Sequence, residues 1–418
     1  MLFYAFLNLR GDEMSEDYID IYEPKQYVSG IPYDKYKVLR ARSPVAFQRE
    51  TDGSGYWAIM KHADVLFASK KPKIFSSYQA GINIPDPIEE DLDIARMILI
   101  NMDPPQHAKY RKLVATGFTP KMTQRLDGPI RAAVKTILDR VSGENEVDFV
   151  GEIASQLPLF LIADLIGWPE ADRPLMFEWS DRVSRIDHAP EDARMAAMEF
   201  FGYCTDLLES LEEKSEEGER PDDLVHVLMD AQIDGEKLNS MEIVNFLLLL
   251  AIGGNETTRN CIAGGYLALH EFPKQMERFA SDPIGHGRLA TEEMLRWTSP
   301  IIAFRRTAME DTELSGQKIT TGDKVVLYYA SANRDEEVFD DADVFDITRE
   351  KNPHVSFGAG THFCLGSTLA RMEIRILFEE LLRRFPKMSI VGDVTRLDSN
   401  YVNGTVSFMV SPGPDTDA

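Results

Sequence analysis

Phe357-Gly358-Ala359-Gly360-Thr361-His362-Phe363-Cys364-Leu365-Gly366 sets three glycines around one cysteine within ten residues. Glycine permits backbone conformations with positive φ and lets a flat ligand approach the main chain. Beyond the segment, Leu369, Ile374, Leu377, Phe378 and Leu381 recur at helical spacing until Pro386 stops the pattern. A helix opening just after Cys364 aims N–H groups and the positive end of its dipole at the sulfur. Both favour the thiolate, the metal-binding form of cysteine. The plainer reading is a small buried residue, the common state of a free cysteine. A dinucleotide loop is not spelled, because Phe363 stands where GxGxxG needs its last glycine. No P-loop, GxSxG or HExxH pattern occurs elsewhere.

The rest of the chain narrows the class. Its 418 residues can bury a large core and still enclose a cofactor and a small molecule. The formal net charge of -24 opposes nucleic-acid binding, which needs concentrated Lys and Arg. That acidity serves solubility, and a local basic patch could still receive an acidic partner. Cys204, Cys261 and Cys364 are widely spaced and include no CxxC pair, which argues against a disulfide framework and a structural zinc site. Three unpaired cysteines fit a reducing compartment. The opening MLFYAFLNLRGDEM is too short in its apolar part for a membrane anchor and lacks the basic start of a signal peptide. Residues 1–13 read as a loose extension, with Met14 an alternative start. The strongest internal apolar run, Phe246 to Ile252, is also too short to span a bilayer. These features predict a cytoplasmic protein. No composition break divides residues 1–418, which favours a single catalytic unit.

Strand signals lie at Tyr56 to Met60 (YWAIM) and at Lys324 to Tyr329 (KVVLYY), which follows the turn residues Thr321-Gly322-Asp323. The middle is helical: Ile130, Val134, Ile137, Leu138 and Val141 share one face, and Ile243 to Ala251 form an apolar helical segment. The predicted fold is mainly α with small β-sheets near both ends.

Three further patterns carry chemistry. Glu293 and Arg296 stand one helical turn apart, the spacing of an ordinary surface ion pair. In Gly253-Gly254-Asn255-Glu256-Thr257-Thr258, paired glycines inside a helix would cost roughly 1 kcal/mol each relative to alanine. A threonine there can bond back to a carbonyl one turn earlier and open the helix. The alternative is that the glycines end one helix and Asn255 caps the next. His107 and Arg111 fall on one face of a helix that opens after Asp103-Pro104-Pro105. Singly, each of these cations reads as a solvated surface charge.

The segment FGAGTHFCLG resembles the haem-binding loop of the cytochrome P-450 family, with every framing position filled. Four other family signatures stand in the expected order between about residue 100 and residue 404. The resemblance implies a triangular prism with haem b between the long central helix and the helix after the cysteine loop. It makes Cys364 the iron ligand, framed by Phe357, Gly358 and Gly366. Thiolate ligation pushes electron density onto haem iron and promotes O–O cleavage. It makes Glu293 and Arg296 a buried scaffold pair, joined by Arg349 of Phe345-Asp346-Ile347-Thr348-Arg349. It assigns Glu256 and Thr257 to proton delivery, Glu256 holding a position where the family uses Asp or Glu. His107, Arg111, Arg306 and His362 match the partners of the haem propionates, with Arg305 the alternative to Arg306.

Substrate walls are expected from Ser76 to Ile100, from Leu249, Ile252 and Gly253, from Ile301, Ile302 and Phe304, and from Tyr401 and Val402. They are mainly apolar, which suits a hydrophobic substrate, although ordinary core reads the same way. Gly81, Pro85, Pro87 and several acids mark the Ser76 to Ile100 stretch as a mobile lid. The run RRTAMEDTELSGQKITTGDKVVLYYASANRDEEVF resembles bacterial members that hydroxylate terpenoid alcohols, steroid side chains or alkyl chains, linalool-type terpenoid hydroxylases most. The resemblance implies a soluble bacterial monooxygenase using dioxygen, with electrons from a separate ferredoxin and an NAD(P)H-dependent reductase. Lys109, Lys112 and Arg371 are the candidate docking residues. The alternatives are a haem-thiolate peroxygenase or isomerase, and a non-catalytic haem- or lipid-binding protein.

Overall fold

Helices follow the apolar spacing through the middle of the chain, and short strands gather near both ends. The computed structural model describes residues 18–115, 118, 125–184, 190–215 and 223–417. The reading of residues 1–13 lies outside these. The helices used below are α1 (His62–Ser69), α2 (Glu89–Met97), α3 (Gln106–Ala115), α4 (Asp127–Val141), α5 (Gln156–Ile166), α6 (Arg173–Ser184), α7 (Pro190–Ser215), α8 (Ser240–Glu271), α9 (Pro283–Thr298) and α10 (Ser367–Arg384).

The central helix, α8, has 32 residues, a length of about 48 Å at 1.5 Å per residue. A capping box starts it: Glu242 N donates to Asn239 Oδ1 at 3.0 Å, and Asn239 N donates to Glu242 Oε2 at 2.8 Å. It packs against α5, α6, α7, α9 and α10. Its first half buries Ile243, Val244, Leu247 and Leu248 in one apolar cluster with α5 and α7. Its second half buries Cys261, Ile262, Tyr266 and Leu269 in another with α4, α9 and α10. Gly253-Gly254 falls between these clusters and does not end the helix, which settles the two sequence readings in favour of one continuous α8.

A five-stranded sheet joins β1 (Val45–Gln48), β2 (Tyr56–Ile59), β3 (Phe75–Ser76), β4 (Ala303–Ala308) and β5 (Lys324–Tyr328), in the order β1-β2-β5-β4-β3. β5 runs parallel to β2 and antiparallel to β4. It is buried along its whole length, which explains its unbroken apolar run. Ser389–Arg396, Thr405–Ser411 and Val147–Asp148 form a second sheet. Side chains alternate along β4, so consecutive Arg305 and Arg306 leave on opposite faces. No helix of the described residues is long and apolar enough to cross a membrane.

Candidate active site

The cysteine loop is fixed from its own backbone. Cys364 N donates to Phe357 O at 2.9 Å, Gly358 N to Val355 O at 2.8 Å, and Phe363 N to Gly360 O at 3.2 Å. Gly360 has φ +69°, and a Cβ there would stand 2.4 Å from Ser69 O at the end of α1. Only glycine lets the loop pass so close to that backbone. The helix predicted after the cysteine is α10, with Gly366 at its N-cap. Burial pushes the Cys364 thiol up, opposed by the Gly366 N–H and by the charges of Arg111 and Arg371. Cationic groups and an aimed N–H therefore already surround the sulfur, as thiolate ligation requires.

Two consecutive carboxylates of α9 hold the segments on either side of this loop. Glu293 is fully buried and accepts from Arg296 Nε at 2.8 Å, Arg296 Nη2 at 2.7 Å, Asp346 N at 2.8 Å, Asn352 Nδ2 at 3.1 Å and Arg349 Nε at 3.2 Å. Arg296 also donates to the carbonyls of Asn333, Ala342 and Val344. Arg349 donates to those of Asp340, Asp341 and Val344. Glu293, Arg296 and Arg349 thus form a buried net and not a solvated surface pair. Glu292, which the sequence reading missed, turns the other way. It accepts from Arg371 Nε at 2.6 Å and Arg371 Nη2 at 3.0 Å, and pairs with His354 Nε2 at 3.0 Å. Burial would raise Glu292, but the hydrogen bonds from His354 and Arg371 hold it down at about 2.

The three expected docking residues differ in their contacts. Arg371 is clamped by Glu292 and lies over the Phe357 ring, 4.4 Å from its centroid. Lys109 pairs with Asp234 at 2.5 Å. Lys112 is exposed and forms no ion pair among the described residues.

A cluster of two arginines and two histidines stands beside the loop. The rings of His107 and His362 are 4.3 Å apart. Arg111 Nη2 donates to Phe363 O at 2.6 Å, which ties α3 to the cysteine loop. Burial pushes His362 down to about 2, with Arg306, His107 and Arg111 adding to the shift. Burial and then Arg111 push His107 down to about 4. Asp103, the acid that acts on His107, already accepts from Ser76 Oγ at 2.5 Å and Ser77 N at 3.0 Å. Two arginines and two histidines converging with so little anionic compensation make a site for external carboxylates. The residues therefore fit a haem whose propionates enter this cluster. Strand alternation decides between the arginines. Arg305 Nη1 binds Asp86 Oδ1 at 2.8 Å on the far face of the sheet, whereas Arg306 acts on His362 and Tyr329.

In α8, Thr257 Oγ1 donates to Gly253 O at 2.9 Å, the back-bond its spacing predicts. The two glycines have separate causes. A Cβ on Gly254 would stand 2.3 Å from Ile162 Cδ1, so Gly254 lets α5 approach, whereas a Cβ on Gly253 would meet nothing within 4 Å. Gly253 is the one beside open space. Glu256 is buried on another side of α8, with Oε1 3.4 Å from Arg259 Nη2. Arg259 also meets Asp181 at 3.2 Å. Asp181, Glu256, Arg259, Leu397, Gly404, Thr405 and Val406 line a small cavity of about 50 Å³.

The expected walls divide into two layers. Leu249, Ile252, Ile301, Phe304 and Tyr401 are partly exposed, and the Phe304 and Tyr401 rings are 5.5 Å apart. Ile302 and Val402 are sealed in packing behind them, where Ile302 N donates to Tyr401 O at 2.8 Å and Ile301 bridges to Val402. The stretch expected as a lid contains α2, and its base is tied to the sheet. Arg305 N donates to Ile82 O at 2.8 Å, and buried Lys324 meets Asp86 at 2.9 Å and Glu50 at 2.7 Å. Arg194 of α7 pairs with Asp91 of α2.

The Cytochrome P450 family model matches residues 289–411, which take in the second half of α9, the Glu293 net, the cysteine loop and α10. The steroid C26-monooxygenase of Rhodococcus jostii is 38% identical over 404 residues, 94% of this chain and 84% of that protein. The methyl-branched lipid omega-hydroxylase of Mycobacterium bovis is 38% identical over 391 residues, 90% of each. A Mycobacterium marinum cytochrome P450 solved in complex with pseudoionone superposes with a TM-score of 0.86 at 32% identity, covering 96% of this chain and 100% of that one. With the fold, the cysteine loop and the full-length relatives in agreement, this chain belongs to the cytochrome P450 family of haem-thiolate monooxygenases.

Proposed function

We propose that the chain hydroxylates the terminal carbon of a methyl-branched aliphatic chain on a hydrophobic molecule, with Cys364 as the iron ligand. The observation that carries the site is the convergence of Arg111 and Arg306 with the His107 and His362 rings beside the fixed loop of Cys364. The substrate class rests on the relatives. One is named for position C26 of steroids and another for the omega end of methyl-branched lipids. Both names point to the end of an alkyl chain, and neither to a linalool-type alcohol.

Haem, when bound, supplies dioxygen activation, and a thiolate ligand raises the electron density at its iron. The protein's residues do the rest. Phe357, Gly358 and Gly366 would frame the cofactor's cysteine side, and Arg111 and Arg306, with His107 and His362, would orient its carboxylates. Glu293, Arg296 and Arg349 hold the loop in register. Thr257 rests its hydroxyl proton on Gly253 O and delivers it by turning the hydroxyl toward the open space at Gly253. Glu256, anchored by Arg259, replenishes that proton from the small cavity behind α8. Leu249, Ile252, Ile301, Phe304 and Tyr401 exclude water and hold the alkyl chain, with Ile302 and Val402 behind them. Electrons come from a ferredoxin and an NAD(P)H-dependent reductase in the cytoplasm, with residues 1–418 acting as one catalytic unit and Lys112 as the exposed cation for docking.

The test is a panel of branched-side-chain steroids, methyl-branched fatty acids and terpenoid alcohols. Binding is read from the spin shift of the haem, and products are analysed after turnover with NADH, ferredoxin and reductase. Terminal alcohols of the branched chains are expected. Turnover with hydrogen peroxide but none with the electron-transfer system would instead make the chain a peroxygenase.

A further inference from the structure

Glu292 is half-buried on α9, its side chain 21% exposed, and belongs to none of the roles above. Its carboxylate grips the Arg371 guanidinium through two parallel contacts, 2.6 and 3.0 Å. Such a bidentate pair fixes orientation as well as position. His354 completes the grip at 3.0 Å. Ser356 N lies 3.3 Å from His354 Nδ1, so Nδ1 accepts and Nε2 carries the proton donated to Glu292. The guanidinium so held does two further things. Its Nη1 donates to Ser367 O at 3.3 Å, in the first turn of α10, and its face covers the Phe357 ring. The carbonyl of that same Phe357 receives the backbone N–H of Cys364. A positive charge is thus pinned between the two ends of the cysteine loop, with its counter-charge on Glu292.

We infer that Glu292, with His354, is a positioning residue for Arg371, and that the pinned guanidinium raises the reduction potential of the bound haem. The physical reason is charge. Reduction of ferric haem adds one electron, and a fixed cation near the thiolate stabilises the reduced state, more strongly where water is excluded. The inference rests on ligation by Cys364, as proposed above.

The sign of one measurement separates positioning from simple charge. Arg371→Gln removes the cation, so the potential falls. Glu292→Gln removes an anion. If Glu292 acted only through its own charge, the potential would rise. If it acts by placing Arg371, the guanidinium swings into solvent, and the potential falls with the sign of Arg371→Gln. The experiment is a spectroelectrochemical titration of the haem-loaded wild type, both single variants and the double variant, with the reduced carbon monoxide spectrum recorded for each. The expected result is a downward shift in both singles and a double variant no lower than Arg371→Gln alone, the signature of two residues acting as one unit. A rise, or no change, in Glu292→Gln would overturn the inference. Should Glu292→Gln fail to hold haem, Arg371→Lys serves instead, since it keeps the charge but loses the planar two-point grip. Its potential is expected to fall by less than that of Arg371→Gln, and a value equal to wild type would also overturn the inference. A wild type without the thiolate-type carbon monoxide band would instead defeat the ligation reading beneath it.

Discussion

Glu293→Gln changes one oxygen to an amide nitrogen and leaves side-chain volume almost unaltered, so its effect isolates charge from packing. Glu293 and Arg296 are both fully buried, and Glu293 accepts five hydrogen bonds, three of them from guanidinium nitrogens. A glutamine carries a single carbonyl oxygen, and its amide would face donors where acceptors are needed. Breaking a buried pair leaves an uncompensated charge and costs about 3–5 kcal/mol. At about 1.4 kcal/mol per tenfold, that moves the folding equilibrium by roughly two to four powers of ten. Domain stabilities are only about 5–15 kcal/mol, so the variant should lose about a fifth or more of its margin. Arg383→Ala is the control. Arg383 meets Glu380 at 2.8 Å and Asp417 at 2.6 Å, but it is 46% exposed, and screening leaves such pairs about 1 kcal/mol or less. Urea unfolding, followed by tryptophan fluorescence and by loss of the haem absorbance, gives both midpoints. If Glu293→Gln unfolds at the midpoint of the Arg383→Ala control, the net does not hold the loop as argued.

Three other predictions follow from the site. Thr257→Ala removes the hydroxyl bonded to Gly253 O and should lower the fraction of consumed dioxygen that appears in product by about tenfold or more, measured as product against oxygen uptake. Arg306→Leu should weaken haem binding by about 10- to 100-fold, the value of a lost charge-assisted hydrogen bond, while Arg305→Leu, on the other face of β4, should leave it within about threefold. His107 is held at about 4, below the ordinary 6.5, by burial and Arg111. The unfolded chain therefore binds a proton between these values that the folded chain does not. Stability of the haem-free protein should be full above about pH 6.5 and fall as pH drops towards about 4. The gap between urea midpoints at pH 7.5 and pH 5 should narrow in His107→Gln, with His362, also held low, supplying the remainder.

The cysteine loop and the central helix were legible because their signals are local. Glycines around Cys364, a helical repeat after it and the threonine back-bond all lie within a few residues of one another. The glycine pair was ambiguous for a physical reason: glycine both ends helices and permits close approach. Only the contact of Gly254 with Ile162, 92 positions away in sequence (254 − 162), decides between them. Arg305 and Arg306 could not be separated without strand register, which turns one to Asp86 and the other to the histidines. Glu292 left no sequence signal, because its partners, His354 and Arg371, come from a loop and a helix that no local rule joins to α9. Prolines and glycines marked the Ser76 to Ile100 stretch as a lid but could not reveal the charges of Arg305 and Lys324 that tie its base to the sheet.

Everything in this account depends on the sulfur of Cys364 meeting iron. The most direct measurement is the carbon monoxide difference spectrum of the reduced, haem-loaded protein, taken beside Cys364→Ser. Ligation by Cys364 requires the long-wavelength thiolate band in the wild type and its loss in the variant. A folded, haem-loaded wild type that shows only the shorter-wavelength band of nitrogen ligation, or a variant that keeps the thiolate band, would contradict it.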